Sequence, residues 1–126
     1  MTATEQARFQ ELYTRQLRAL KLRGMSENTI DSYARAVRRV SSHFDCCPDQ
    51  LTVEQLEVYF ADLVDSHSWS TVKIDRNGLQ FFWKYVLNPS SSLKLTITHY
   101  FNKLKFLFFL SWHYRFFIIN NRLTFT

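Results

Sequence analysis

The sequence contains few of the residues that build turn-rich folds. Its 126 residues include two glycines and two prolines, and this scarcity argues against a β-sandwich or a β-barrel. Hydrophobic residues make up 46% and charged residues 21%, a composition that excludes an intrinsically disordered chain. A chain of this length buries well over half of its unfolded surface on folding, so a single domain needs neither disulfides nor a structural metal.

Disulfide, secretion and membrane signals are also lacking. The two cysteines, Cys46 and Cys47, are adjacent, and neighbouring cysteines rarely form a structural disulfide because the bond is strained. No signal peptide is visible, so a reducing cytoplasm is the expected compartment. The most apolar run, 106–119, is shorter than the roughly 20 residues that span a bilayer, and His113 and Arg115 interrupt it. We expect no membrane-spanning segment.

Acidic residues are absent after Asp75. Residues 1–44 carry eight basic and four acidic side chains, residues 45–75 carry one and seven, and residues 76–126 carry seven and none. The first 87 residues therefore have no net charge, and the excess of +5 lies entirely in the last 39. This break predicts a domain over 1–88 and a basic, aromatic-rich, unassigned tail over 89–126.

Apolar residues at helical spacing predict four helices before the break. Gly24 is expected to end the first helix in a left-handed conformation, Ser26 to cap the second, and Thr52 with Gln55 to form a capping box on the third. Gly78, inside the fourth, indicates close packing or close approach to a partner. The predicted helices cover about 4–23, 27–44, 52–65 and 70–87.

One apolar stripe on each helix supplies the expected core. It consists of Phe9, Leu12, Tyr13, Leu17, Leu20, Ile30, Tyr33, Ala34, Val37, Val40, Phe44, Val53, Leu56, Tyr59, Phe60, Leu63, Val64, Val72, Leu79, Phe82, Trp83 and Val86.

The tail has no consistent pattern. Apolar residues from Leu93 to Phe101 alternate as in a strand, whereas residues 93–112 fit a helix equally well. Residues 116–119 and 123–125 fit a hairpin around Asn120 and Asn121. The sequence leaves these alternatives open.

An ordered set of motifs runs through the predicted domain. It consists of Gly24 to Thr29, Tyr33, Val37 to Arg39, Phe44, Leu51 to Leu56, Tyr59, Leu63, Ser70, Thr71, Phe81 to Trp83, and Tyr85. Over about residues 5–88 the order and spacing of these motifs resemble the N-terminal core-binding domain of tyrosine recombinases, the phage integrase family. The resemblance implies an all-α fold, a SAM-like four-helix bundle over about 4–88, that binds double-stranded DNA at a recombination site during DNA integration by a mobile element.

The second helix carries a row of polar residues opposite its apolar stripe. Asn28, Ser32, Arg35 and Arg39 are predicted to lie one turn apart on a single exposed line. Arginine pairs with guanine and asparagine with adenine in the major groove. Taken alone, such a row is most simply a solvated surface. In the resembled family, however, the second and fourth helices approach the groove, so we expect this row to bind DNA.

The fourth helix adds a second set of candidates. Ser70 and Thr71, at its expected start, offer hydroxyls and free backbone N–H groups to a phosphate. Lys73, Asn77 and Lys84 continue along one face.

The third helix is predicted to face away from DNA. Its outer surface carries Glu54, Glu57, Asp62 and Asp65, which phosphates would repel.

Metal and cofactor sites are not expected. His43, Cys46, Cys47 and His67 form one candidate set of metal ligands, but they contain no Cys-x-x-Cys pair and no second histidine at finger spacing. We predict no metal, no cofactor and no small-molecule substrate.

No catalytic residue is assigned either. Members of the resembled family cleave DNA with a tyrosine nucleophile in a separate C-terminal domain, and the spacing of His113, Tyr114 and Arg115 does not match the His-x-x-Arg motif of that domain. We therefore expect a fragment without recombinase activity, from a gene truncated or frame-shifted before the catalytic domain, whose tail is sequence unrelated to the family. Self-association on DNA is left open. In an alternative reading the tail binds nucleic acid by stacking or lies on a membrane. In a second alternative the chain is a small helical protein-interaction module with an exposed aromatic docking tail.

Overall fold

Four α-helices make up most of residues 1–87, as the sequence predicts. The computed structural model describes residues 1–87 and 99–103, and this part of the chain contains no strand. A short 3-10 helix, Pro48–Gln50, joins the second helix to the third, and residues 99–103 form a further helical segment. The fourth helix was expected to be continuous to about residue 87, but it changes into a π-helical turn, Phe82–Val86. The helices are α1 (Ala3–Leu22), α2 (Glu27–Phe44), α3 (Val53–Ser66) and α4 (Trp69–Phe81).

Local capping signals fix the helix ends. The Ser26 side chain accepts a hydrogen bond from the Thr29 backbone N–H at 3.2 Å, and Thr52 and Gln55 form the predicted capping box. Gly24 follows α1 with φ +69°, the left-handed conformation predicted for it. These three predictions are confirmed.

The predicted apolar stripes meet in one core. α2 packs along α4, α1 packs on α2 and on the π-helical turn, and α3 packs on α4. Six members of the predicted set are half-buried at the edge of the core, namely Tyr13, Ile30, Tyr33, Phe44, Val53 and Val64, and Leu17 is also half-buried. The buried members are Phe9, Leu12, Leu20, Ala34, Val37, Val40, Leu56, Tyr59, Phe60, Leu63, Val72, Leu79, Phe82, Trp83 and Val86.

α2 and α4 approach each other closely at Gly78. A Cβ added there would lie 3.0 Å from the Ala36 Cβ and 3.0 Å from the Tyr33 Cα, closer than side chains normally pack. Of the two explanations for this glycine, close packing is confirmed. The two helices that carry the predicted polar residues are therefore neighbours in direct contact.

The helical segment 99–103 extends the core beyond the predicted helices. The Phe101 side chain is 1% exposed, and its ring packs against Phe60 and Trp83 with centroids 6.4 and 6.0 Å away. The strand alternative is wrong for residues 99–101, because a helix lets the adjacent Tyr100 and Phe101 both turn inward, which a strand does not. The hairpin at 116–125, and the rest of the tail, lie outside the described residues.

None of the described helices is long and apolar enough to cross a membrane.

Candidate nucleic-acid interface

The polar row of α2 is only partly exposed. Asn28 and Arg35 are exposed, as predicted, whereas Ser32 and Arg39 are half-buried. The expectation of one fully exposed line is wrong for these two residues, because α4 packs along the same edge of α2 and Arg39 reaches across to it.

Arg39 forms an ion pair with Asp75 of α4. Its Nη1 donates to the Asp75 Oδ2 at 2.5 Å, and the carboxylate is 4% exposed whereas the Arg39 side chain is 29% exposed. Burial raises the pKa of Asp75 above its ordinary value, and the charge of Arg39 and its hydrogen bond oppose that shift. Sequence reasoning missed Asp75, although its position between Val72 and Leu79 on the buried side of the helix was a usable signal.

Arg35 is the most accessible guanidinium of the row. It lies one turn from Asp31 and donates to its Oδ2 at 2.6 Å, with both side chains more than half exposed. An exposed pair of this kind contributes little to stability, so the arginine can change partner at small cost. Asn28 lies on the same side of α2, near its N-terminus.

The start of α4 differs from the prediction. Ser68 caps the helix, and its Oγ accepts the Thr71 backbone N–H at 3.3 Å, so Thr71 does not offer a free N–H group. The Thr71 hydroxyl also lies 3.1 Å from the Ser68 Oγ. Ser70 and Lys73 are exposed. Serines stand at alternate positions around the helix start, at Ser66, Ser68 and Ser70, so the sequence alone did not identify which of them is the cap.

A shallow cleft of about 250 Å³ opens beside the outer face of α4. Two predicted residues line it, the half-buried Asn77 and the exposed Lys84. Tyr85 also lines the cleft. The Arg23 guanidinium carbon lies 3.8 Å from the centroid of the Tyr85 ring, a cation–π contact that sequence reasoning did not find. The other lining residues are Met25, Tyr33, Gln80 and Phe81.

The acidic surface of α3 is separate from these residues. Glu54, Glu57, Asp62 and Asp65 are all exposed, as expected. α3 contacts α4 through its opposite, apolar stripe, which includes Leu63. The acidic side chains of α3 are therefore separate from the predicted polar residues of α2 and α4, although the exposed Asp31 lies beside Arg35 on α2.

The rejected metal ligands have other environments. The His43 ring packs edge-on against Tyr59 with centroids 5.1 Å apart, and burial raises the pKa of the Cys47 thiol to about 11. Among residues 1–87 and 99–103, no three His, Cys, Asp or Glu side chains are grouped to hold a metal ion. His113 and Arg115 lie outside the described residues.

Comparison with known proteins places these helices in a family. The family model described as "Phage integrase, N-terminal SAM-like domain" matches residues 12–93. This span covers α2, α3, α4 and most of α1, and includes every predicted polar residue on α2 and α4. No curated protein and no solved structure gives a match.

Proposed function

The chain belongs to the family of phage integrase N-terminal SAM-like domains, and on that premise we propose that it binds double-stranded DNA as the core-binding module of a tyrosine recombinase. The binding surface is the α2–α4 face, defined as the outward-facing polar residues of these two helices. They are Asn28, Ser32, Arg35, Arg39, Ser70, Thr71, Lys73, Asn77 and Lys84.

One observation carries this proposal. α2 and α4 are in close contact at Gly78, so the two sets of polar and basic side chains are carried by adjacent helices, while the exposed acidic side chains of α3 are on a different helix. A local positive field attracts the phosphate backbone even when total charge is zero. The same surface can present amide and guanidinium groups to base edges.

The residues of the face differ in the role that their environment allows. Arg35 and Asn28 are exposed and suit contact with base edges or phosphates. Arg39 is oriented by the Asp75 carboxylate, so it suits a fixed contact that uses its remaining N–H groups. The Ser70 hydroxyl and Lys73, near the start of α4, suit the phosphate backbone.

The module is proposed to supply binding and not strand cleavage. In the family, cleavage requires a tyrosine nucleophile and its charge-stabilising groups on one scaffold, and the matched region is the N-terminal domain. Incubation with supercoiled plasmid should give no nicked product and no covalent protein–DNA adduct. A covalent adduct would contradict this part of the proposal.

Binding to a duplex of random sequence, measured against salt, tests the proposal as a whole. If about three phosphates are neutralised, the slope of log affinity against log salt concentration should be about −3. The alternative of a protein-interaction module with an exposed aromatic tail predicts a complex with protein that is insensitive to salt. Within the described part of the tail, Tyr100 and Phe101 are buried, which does not favour that alternative.

A further inference from the structure

Arg76 carries a buried positive charge whose hydrogen-bond partners are both neutral. The residue is 6% exposed, its Nη1 donates to the Gln80 Oε1 at 3.4 Å, and its Nη2 donates to the Asn77 Oδ1. Within the described residues its Nε has no partner, and no carboxylate is close enough for an ion pair. The neighbouring Asp75 is paired with Arg39, and the sequence has no Asp or Glu beyond it.

An unpaired buried charge is costly and therefore calls for an explanation. Burial lowers the pKa of Arg76, but a guanidinium stays charged near neutral pH because its ordinary pKa is so high. The low dielectric around the group leaves its field poorly screened. An anion placed near the guanidinium would compensate the charge.

The two hydrogen-bond partners of Arg76 line a cleft in which an anion can bind. Asn77 and Gln80 line the cleft of about 250 Å³ beside α4, and Lys84 lines it as well. Because the side-chain carbonyls of Asn77 and Gln80 accept from Arg76, each amide keeps its N–H donors for the cleft. The Lys84 ammonium adds a positive charge, and no lining residue is acidic.

We propose that this cleft binds a phosphodiester group of double-stranded DNA. Asn77, Gln80 and Lys84 donate to the phosphate oxygens, and Arg76 supplies the uncompensated charge behind them. The choice of DNA as the occupant rests on the proposed function, because Asn77 and Lys84 belong to the α2–α4 face. Gln80 and Arg76 become binding and positioning residues that the family resemblance did not indicate.

The variant Gln80→Glu tests this assignment without removing the buried charge. A carboxylate at position 80 would pair with Arg76 within the protein and take the place of the external phosphate. We expect affinity for a random-sequence duplex to fall about tenfold, the loss of roughly one charge-assisted hydrogen bond. The melting temperature should stay the same or rise, because the buried arginine gains a partner.

Gln10→Glu is the matched control, since Gln10 is exposed on α1 and the substitution changes the net charge equally. It should bind duplex within twofold of the unmodified chain. If the unmodified chain binds duplex and the two variants bind it equally well, the cleft does not bind a DNA phosphate, although the proposed function stands. If the unmodified chain does not bind duplex, the proposed function itself fails.

Inorganic phosphate provides a second arm of the test. Phosphate should raise the melting temperature of the unmodified chain more than chloride at equal ionic strength, and the Gln80→Glu variant should lose that difference. A phosphate-dependent rise together with unchanged duplex binding by Gln80→Glu would assign the cleft to a free anion and overturn the DNA assignment.

Discussion

Arg39 of α2 and Asp75 of α4 are joined by a 2.5 Å ion pair inside the proposed α2–α4 face. The carboxylate is almost fully buried, whereas the guanidinium is partly open to solvent. One arginine edge is thereby fixed by the protein while the other remains available. The pair links the two helices that the proposed function requires to act as one surface.

Replacing Arg39 with methionine should destabilise the fold in a pH-dependent way. Removing one partner of a fully buried pair costs about 3–5 kcal/mol, and the partial exposure of Arg39 reduces the expected loss to about 2 kcal/mol at pH 7. Urea unfolding at pH 7 and pH 5 measures this loss.

The sign of the pH effect follows from the pKa of Asp75. Burial already raises that pKa in the folded state, and the loss of Arg39 raises it further. A raised carboxyl pKa means that the folded state binds the proton more tightly, so stability is retained at low pH and lost as pH rises through the folded pKa. The loss caused by Arg39→Met should therefore be smaller at pH 5 than at pH 7. An equal loss of stability at both pH values would show that the pKa of Asp75 does not depend on Arg39.

Replacing Gly78 with alanine should destabilise the protein despite the better helix propensity of alanine. The new Cβ would lie 3.0 Å from both the Ala36 Cβ and the Tyr33 Cα, and the latter belongs to the backbone. We expect a net loss of about 1–2 kcal/mol, since overpacking exceeds the propensity gain of roughly 1 kcal/mol. Thermal unfolding measures it, and a raised melting temperature would contradict the close contact of α2 and α4.

Gly24→Ala is the natural comparison. A Cβ at Gly24 meets nothing within 4 Å, so its cost comes from the positive φ alone and should be about 1 kcal/mol. Ala36→Gly itself costs about 1 kcal/mol inside α2. This cost should be smaller in the Gly78→Ala background, where it relieves the contact, and unchanged in the Gly24→Ala background.

Replacing Phe101 with alanine should cost about 3 kcal/mol. Its ring is buried against Phe60 and Trp83, and truncating a buried phenylalanine leaves a cavity in the core. Urea unfolding of the full chain measures the change. An effect below about 0.5 kcal/mol, the size expected at the surface, would place residues 99–103 outside the core and favour a domain that ends near 88.

Local features of the fold could be predicted, whereas contacts between helices could not. The Ser26 cap and the Gly24 terminus depend on residues next to each other in the chain, so the sequence carries them directly. The Arg39–Asp75 pair joins residues 36 positions apart and depends on which edge of α2 receives α4. The burial of Arg76 likewise depends on how the helices pack, and not on neighbouring residues in the chain. The polar residues of the candidate site were thus largely predicted from the sequence. The sequence did not predict which of them are held by ion pairs or by burial.

Arg35→Gln tests whether the α2–α4 face binds duplex DNA. Arg35 is exposed, so its removal should leave the fold intact, and the adjacent Asp31 would then repel phosphates. Arg18→Gln is the control, because Arg18 is equally basic and exposed but lies on α1.

The measurement is the affinity of each protein for a random-sequence duplex between about 50 and 200 mM salt. For Arg35→Gln we expect a loss of affinity of about fivefold or more and a salt slope shallower by about 0.9, while Arg18→Gln stays within twofold of the unmodified chain. Equal affinities and slopes for the two variants, or binding that does not depend on salt, would show that the α2–α4 face does not bind duplex DNA.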